Sequence, residues 1–222
     1  MTTQPPHIVI AGGGVAAVEA VAALRALAGS LPRITLLAPE AELPARPASV
    51  ATPFGFGAPN ALPFDSIQRH ARFALHRGTL ARVEPEAHVA VDGHGEPIPY
   101  DKLLVAVGAR PEPAVPGAIC FGGPADAPAV ASALESASRL AFVLPSATGW
   151  ALPVYELAIM AAVELRSRGV KPEITVVTPE PAPLWVFGPE AGAAVAELLA
   201  ERGIGLRAGV RPVAFSDGRL EI

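Results

Sequence analysis

Short apolar runs alternate along this chain with longer helical stretches, and the change of period predicts strands and helices in turn. His7-Ile8-Val9-Ile10-Ala11 is a continuous apolar run of the buried-strand kind, and Gly12-Gly13-Gly14 ends it at once. Residues 15–28 are rich in Ala, Leu and Val, with only Glu19 and Arg25 charged, and predict a helix. Residues 33–38 return to strand. Strand, glycine turn, helix and strand make a βαβ unit, which should be right-handed with parallel strands.

Residues 39–64 contain six prolines, at 39, 44, 47, 53, 59 and 63, and predict extended loop, with a short helix from Phe64 to His70. Short strands follow at 72–75, 79–83 and 87–91. Asp92-Gly93-His94-Gly95 then reads as a hairpin turn. Residues 103–107 predict another buried strand, ending at Gly108. Pro111, Pro113, Pro116 and Gly117 punctuate the chain and mark a boundary between a first domain, residues 1–110, and a second, residues 111–222. There the pattern restarts, with strand at 140–144, helix at 154–168, strand at 173–177, helix at 189–202 and strand at 204–207. A hairpin around Asp217-Gly218 ends it. The expected class is α/β, with two Rossmann-like domains.

Composition narrows the function classes. Of 222 residues 51% are hydrophobic and 17% charged, which excludes a disordered chain. The net charge of −4 and the scattered arginines leave no basic field for nucleic acid. Cys120 is the only cysteine, so the chain forms no internal disulfide and no redox-active cysteine pair. It reads as a small buried hydrophobe. Met1–Pro6 is polar, without the form of a signal peptide, and charges, Gly or Pro break every apolar stretch before membrane length. A soluble, cytoplasmic protein is expected.

Gly12-Gly13-Gly14-Val15-Ala16-Ala17 fits the dinucleotide fingerprint G-x-G-x-x-G/A. Gly12 would make the tight turn, Gly14 would let backbone approach a pyrophosphate, and Ala17 would let helix and sheet pack closely. The expected ligand is the ADP half of a dinucleotide. Glu40, two residues beyond Ala38, reads equally as the ribose partner or as a solvated loop charge.

Three further matches join this fingerprint. Ala45-Arg46-Pro47 is similar to a Tyr-Arg-Pro segment, and residues 100–111, from Tyr100-Asp101-Lys102-Leu103 to Gly108-Ala109-Arg110-Pro111, are similar to a Tyr-Asp-x-Leu…Gly-Ala-Arg-Pro crossover with Val107 in place of Thr. The third is the second βαβ pattern. Together they resemble the FAD-dependent pyridine nucleotide–disulfide oxidoreductases, nearest to sulfide:quinone-reductase-like and type II NADH-dehydrogenase-like members. The resemblance implies that Gly12, Gly13, Gly14, Ala16 and Ala17 hold the FAD pyrophosphate and that Arg46 contacts the cofactor. It also implies that Leu80 and Ala81 bracket the adenine and that Ala106, Val107 and Gly108 pass the flavin.

Departures from the family pattern bear on the second domain. If Glu156 ends its glycine motif, the three glycine places hold Gly149, Ala151 and Val154, so binding of NAD(P)H there is doubtful. Trp150 and Tyr155 read as packing residues rather than as the lining of a donor or flavin pocket. The sequence also stops where the family continues into the segment that completes the FAD domain, so a fragment or a truncated relative is expected. His70, His76, His88 and His94 read as structural or surface residues, and no metal site or catalytic acid or base stands out. The implied function is electron transfer through FAD from NAD(P)H or another small donor to a quinone or similar acceptor. A non-catalytic nucleotide-binding module or subunit and a single-cofactor NAD(P) enzyme are the alternatives. Oligomeric state and peripheral membrane contact stay open.

Overall fold

The computed structural model describes residues 4–56, 61–109, 112–136, 138–147 and 150–222. The chain divides into two compact units, Met1–Ala45 with Asn60–Ala109, and Arg46–Pro59 with Arg110–Ile222. Residues 46–56 thus group with the second half of the chain, although the sequence boundary at 110 places them in the first.

In the first unit β1 (His7–Ala11), α1 (Val15–Ala28) and β2 (Arg33–Ala38) form the expected βαβ unit, with five parallel pairs from His7↔Arg33 to Ala11↔Leu37. β3 (Glu42–Leu43) and β4 (Leu62–Pro63) form a small antiparallel pair, and α2 (Phe64–Ala71) follows. Then come β5 (Ala74–Arg77), a meander of β6 (Leu80–Glu84), β7 (Val89–Asp92) and β8 (Pro97–Pro99), and finally β9 (Lys102–Val105). The main sheet is parallel, in the order β5-β2-β1-β9. β1 reads as an unbroken apolar run because both its faces are covered. Ile10 packs with Ala17, Val21, Leu36 and Phe64 on one side, while Val9 and Ala11 pack with Leu37, Ala90 and Ile98 on the other.

β9 departs from expectation. It ends at Val105, and Leu104 and Val105 are 41% and 54% exposed, so it is not a buried strand. Among the described residues it lies at the edge of the sheet, with β1 as its one ladder neighbour.

In the second unit, residues 46–54 form a 3-10 helix with Ser49, Val50 and Pro53 buried. That replaces part of the extended loop expected from the prolines. The fixed φ of proline, near −65°, suits a tight helical turn as well as an extended one. α3 (Ala127–Ser136) was not anticipated, since Ala-Pro-Ala-Val-Ala-Ser-Ala gives small side chains and little period. β10 (Arg139–Val143), α4 (Leu152–Ser167), β11 (Glu173–Val177), α5 (Pro189–Glu201) and β12 (Ile204–Arg207) then form a second parallel sheet in the order β10-β11-β12. Pro153 is accommodated in the first turn of α4, where its missing N–H has no helical partner to lose. A hairpin of β13 (Ala214–Ser216) and β14 (Arg219–Glu221) closes the chain. Tyr155, Ala158, Ala161, Leu165, Val176 and Leu199 centre this core. The fold is α/β with Rossmann-like parallel sheets. Among the described residues, no helix is long and apolar enough to cross a membrane.

Candidate dinucleotide site

The chain leaves β1 at Gly12, whose N–H donates to the Leu37 carbonyl at 2.8 Å, continuing the ladder for one more step. Gly12 has φ +132°, and a Cβ there would lie 2.1 Å from the Ala106 carbonyl oxygen. Only glycine tolerates both conditions. Ala106 in turn donates its N–H to the Ala11 carbonyl at 2.7 Å. Two motifs ninety residues apart in sequence therefore touch backbone to backbone. A Cβ on Gly13 would lie 2.9 Å from the Ala38 methyl and 3.4 Å from the buried Phe64 ring.

Gly14 is different. It is the N-cap of α1 with ordinary extended backbone, φ −85° and ψ −177°, and a Cβ there would meet nothing within 4 Å. No side chain caps the helix and no acid lies in its first turn. Ala17 is fully buried against the sheet, whereas Val15 and Ala16 are exposed. The first turn of a 14-residue helix thus presents unsatisfied N–H groups and the positive end of its dipole to open space. This donor set suits a pyrophosphate. The backbone can approach it, positive potential faces it, and no side chain competes for the N–H groups.

Glu40 is exposed, two residues past the carboxyl end of β2 and beside the strand that carries the glycine turn. The backbone before it is held by Arg77, whose Nε and Nη2 donate to the Pro39 carbonyl at 3.0 and 2.6 Å. The sequence reading missed Arg77, which carries no motif and reaches Pro39 only because β5 pairs with β2. Leu80 is half-buried and packs beside Val9 and Leu37, while Ala81 is exposed at an irregularity in the β6–β7 ladder. Val107 and Gly108 are exposed beyond β9, Gly108 with φ +75°. Gly12, Gly13, Gly14, Ala16, Ala17 and Ala106 therefore come together at the carboxyl edge of the first sheet, with Glu40 on the adjacent strand end. Arg46 does not join them within that unit. It opens the 3-10 helix of the other unit, exposed, with its carbonyl accepting from Ser49 Oγ at 2.6 Å.

A buried polar cluster flanks the meander. Asp92 Oδ1 accepts the backbone N–H groups of His94 and Glu96 at 2.9 and 2.8 Å, and its Oδ2 lies 2.9 Å from His76 Nε2. The His76 bond, then the Glu96 amide, hold the Asp92 carboxyl down at about 2. The Asp-Gly-His-Gly turn was legible in sequence as a hairpin, but its anchoring on β5 was not. His70 Nδ1 lies 3.1 Å from the Ser66 carbonyl, and the His88 ring packs on Tyr100.

In the second unit the corresponding helix starts differently. Ala151 is a buried N-cap in helical conformation, and Val154 packs against the core. Gly149 lies outside the described residues. Burial raises the Glu156 carboxyl above its ordinary value. Tyr155, read from the sequence as packing, is buried and donates to Glu180 Oε2 at 2.6 Å. Thr178 Oγ1 donates to the same oxygen, and the Trp185 N–H to Oε1. Trp150 is 63% exposed, edge-on to Phe187 with ring centroids 5.7 Å apart. Cys120 is half-buried, in the wall of an apolar cavity of about 490 Å³.

The sequence from residue 6 to residue 220 matches the family described as pyridine nucleotide-disulphide oxidoreductase. No curated protein matches the chain significantly. Similar solved structures include the sulfide:quinone oxidoreductase from Aquifex aeolicus, 24% identical with a TM-score of 0.81, covering 97% of this chain and 53% of that one. A ferredoxin reductase from Rhodopseudomonas palustris is 21% identical with a TM-score of 0.71, covering 97% and 54%. Putidaredoxin reductase in its covalent complex with putidaredoxin is 20% identical with a TM-score of 0.67, covering 96% and 52%. These likenesses show a shared fold, and the chain spans about half the length of each of those structures. Since the family match runs over nearly the whole sequence, the chain belongs to the pyridine nucleotide-disulphide oxidoreductase family.

Proposed function

We propose that the first unit binds FAD through the glycine turn, and that the protein serves electron transfer through that flavin. The donor would be NAD(P)H or another small molecule, and the acceptor a quinone or similar compound. The observation that carries this reading is the pairing of Gly12 with Ala106 beside the open, uncapped start of α1. In this reading Gly12, Gly13, Gly14 and the first turn at Ala16 and Ala17 hold the pyrophosphate. Glu40 reaches the adenosine ribose, Leu80 and Ala81 lie toward the adenine, and Ala106 to Gly108 run along the flavin side. Bound FAD supplies the redox chemistry, while the chain binds, orients and sets the local field.

A specific observation favours a second reading, a non-catalytic nucleotide-binding module. The acid that follows β11, Glu180, is engaged internally by Tyr155 and is not free to meet a ribose. The two readings part in one experiment, the visible spectrum of the purified chain after incubation with excess FAD and desalting, followed by anaerobic titration with NADH, NADPH and sulfide. A retained flavin spectrum bleached by one donor supports the oxidoreductase. A retained flavin that no donor bleaches supports the module. A colourless chain overturns FAD binding by these residues.

A further inference from the structure

Three metal-ligating side chains converge where the turn of the meander meets β5. His76 stands on β5, Asp92 ends β7, and Glu96 immediately precedes β8. The pairing of β5 with β2, through Leu37↔His76, fixes the first, and the pairing of Asp92 with Leu80 fixes the second. His76 Nε2 lies 2.9 Å from Asp92 Oδ2 and 4.0 Å from Glu96 Oε2. One ligand atom from each residue lies within 4.8 Å of the other two.

The two oxygens of Asp92 have different tasks. Oδ1 accepts the backbone N–H groups of His94 and Glu96 at 2.9 and 2.8 Å, which fixes the carboxylate plane. Oδ2 faces the His76 ring. Gly78 keeps the space beside Oδ2 free of a side chain, since a Cβ there would lie 3.1 Å from that oxygen. Metal ligands are oriented by outer hydrogen bonds in this way. The side chains of His76, Asp92 and Glu96 are 22%, 1% and 66% exposed, so the cluster runs from the buried turn out to solvent and gives an ion an entry path.

Ligand atoms at zinc bond lengths stand about 3.3 Å apart round a tetrahedron and about 2.9 Å apart round an octahedron. His76 and Asp92 already have the shorter spacing. Glu96 must close by about 1 Å or less, which rotation of an exposed side chain supplies. Two carboxylates balance the charge of one divalent cation. The imidazole favours zinc and its first-row neighbours over calcium or magnesium, which prefer oxygen alone.

We propose that His76, Asp92 and Glu96 form a binding site for a divalent transition-metal ion of the zinc class. The ion takes the place of the His76 Nε2 proton, which moves to Nδ1 or, from a cationic ring, leaves to solvent. Water fills the remaining coordination positions. The bound ion clips the turn between β7 and β8 to β5 and so stabilises the first unit. No motif spacing announces the site in the sequence, because His76 and Asp92 are 16 residues apart and meet only through the sheet. The inference does not depend on which cofactor the first unit binds.

The test titrates the full chain, stripped with a chelator, with zinc chloride by calorimetry. One ion should bind per chain with a Kd below about 100 µM. At about a hundredfold Kd, zinc should raise the unfolding midpoint by about 5 °C or more. In NMR spectra zinc should shift the His76 ring nitrogens and the amides of residues 92–96. His76→Asn and Glu96→Gln should each raise Kd at least about tenfold, whereas His70→Asn should leave it unchanged. Glu96→Gln changes an exposed side chain and guards against loss through misfolding, which its metal-free unfolding midpoint checks. A Kd above about 100 µM, an unchanged Kd in His76→Asn or in Glu96→Gln, an equal loss in His70→Asn, or zinc-induced shifts confined to other residues would overturn the proposal.

Discussion

The Tyr155 hydroxyl donates to Glu180 Oε2 at 2.6 Å, inside the core of the second unit. Glu180 lies three residues past the end of β11, much as Glu40 lies two past the end of β2. The same place in the repeat has opposite fates, since Glu40 is exposed and Glu180 is only 3% exposed. Burial and then the bond to Glu180 raise the Tyr155 hydroxyl well above its ordinary value, so it remains a donor across the working pH range. Tyr155→Phe leaves a buried carboxylate short of one partner and should cost about 2 kcal/mol in urea unfolding. NADH should show no saturable perturbation of second-unit amides, and such a perturbation would show that the internal Tyr155–Glu180 bond does not keep a nucleotide out.

Gly12 and Gly14 separate folding from binding. Gly12→Ala meets a backbone carbonyl at a positive φ, and should destabilise the chain by about 3 kcal/mol through strain and overpacking. Gly14→Ala meets nothing and has ordinary dihedrals, so it should cost about 1 kcal/mol or less. Its methyl nonetheless projects where backbone would approach a phosphate. FAD retention should be lost in both variants, and in Gly14→Ala without a matching loss of stability. A Gly14→Ala protein that keeps its flavin at wild-type affinity would remove the glycine turn from the binding site.

Asp92 sets an acid limit. Its native carboxyl titrates at about 2, against an ordinary 3.8, so the unfolded chain binds a proton that the native chain refuses. Its contribution is therefore complete above about pH 4 and is lost as pH falls through about 2. Urea midpoints should drop over this window, and Asp92→Asn should flatten that part of the profile. An equally steep drop in Asp92→Asn would assign the acid sensitivity elsewhere.

Arg77 holds the Pro39 carbonyl with two donors and so fixes the chain just before Glu40. If Glu40 meets the ribose, Arg77→Met should weaken FAD binding by about tenfold or less, because an exposed hydrogen-bonded clamp contributes about 1 kcal/mol. Arg77→Lys, with a single ammonium in place of the fork, should recover only part of this. The two effects should disappear in a Glu40→Ala background when measured by flavin fluorescence.

The local sequence determined the elements whose signals are local. β1, α1, β2 and β11 form where the apolar runs and the glycine turn place them, because a buried parallel strand needs a continuous apolar run and a helix start needs a break before it. The G-x-G-x-x-A spacing was likewise readable, since it lies within one strand, turn and helix start. Tertiary structure decided what depends on partners remote in sequence. Leu104 and Val105 read as core, yet they are exposed because β9 lies at a sheet edge, and edge position is a property of the assembled sheet. The prolines of residues 46–54 fit a helical turn as well as a loop, and burial of Val50 and Pro53 selects the helical turn. Gly12 meets Ala106, Arg77 meets Pro39 and Tyr155 meets Glu180 across 94, 38 and 25 residues, and only chain folding sets those distances. The sequence named the turn that can receive a phosphate. The packing of β9 against β1 decided which backbone Gly12 must meet.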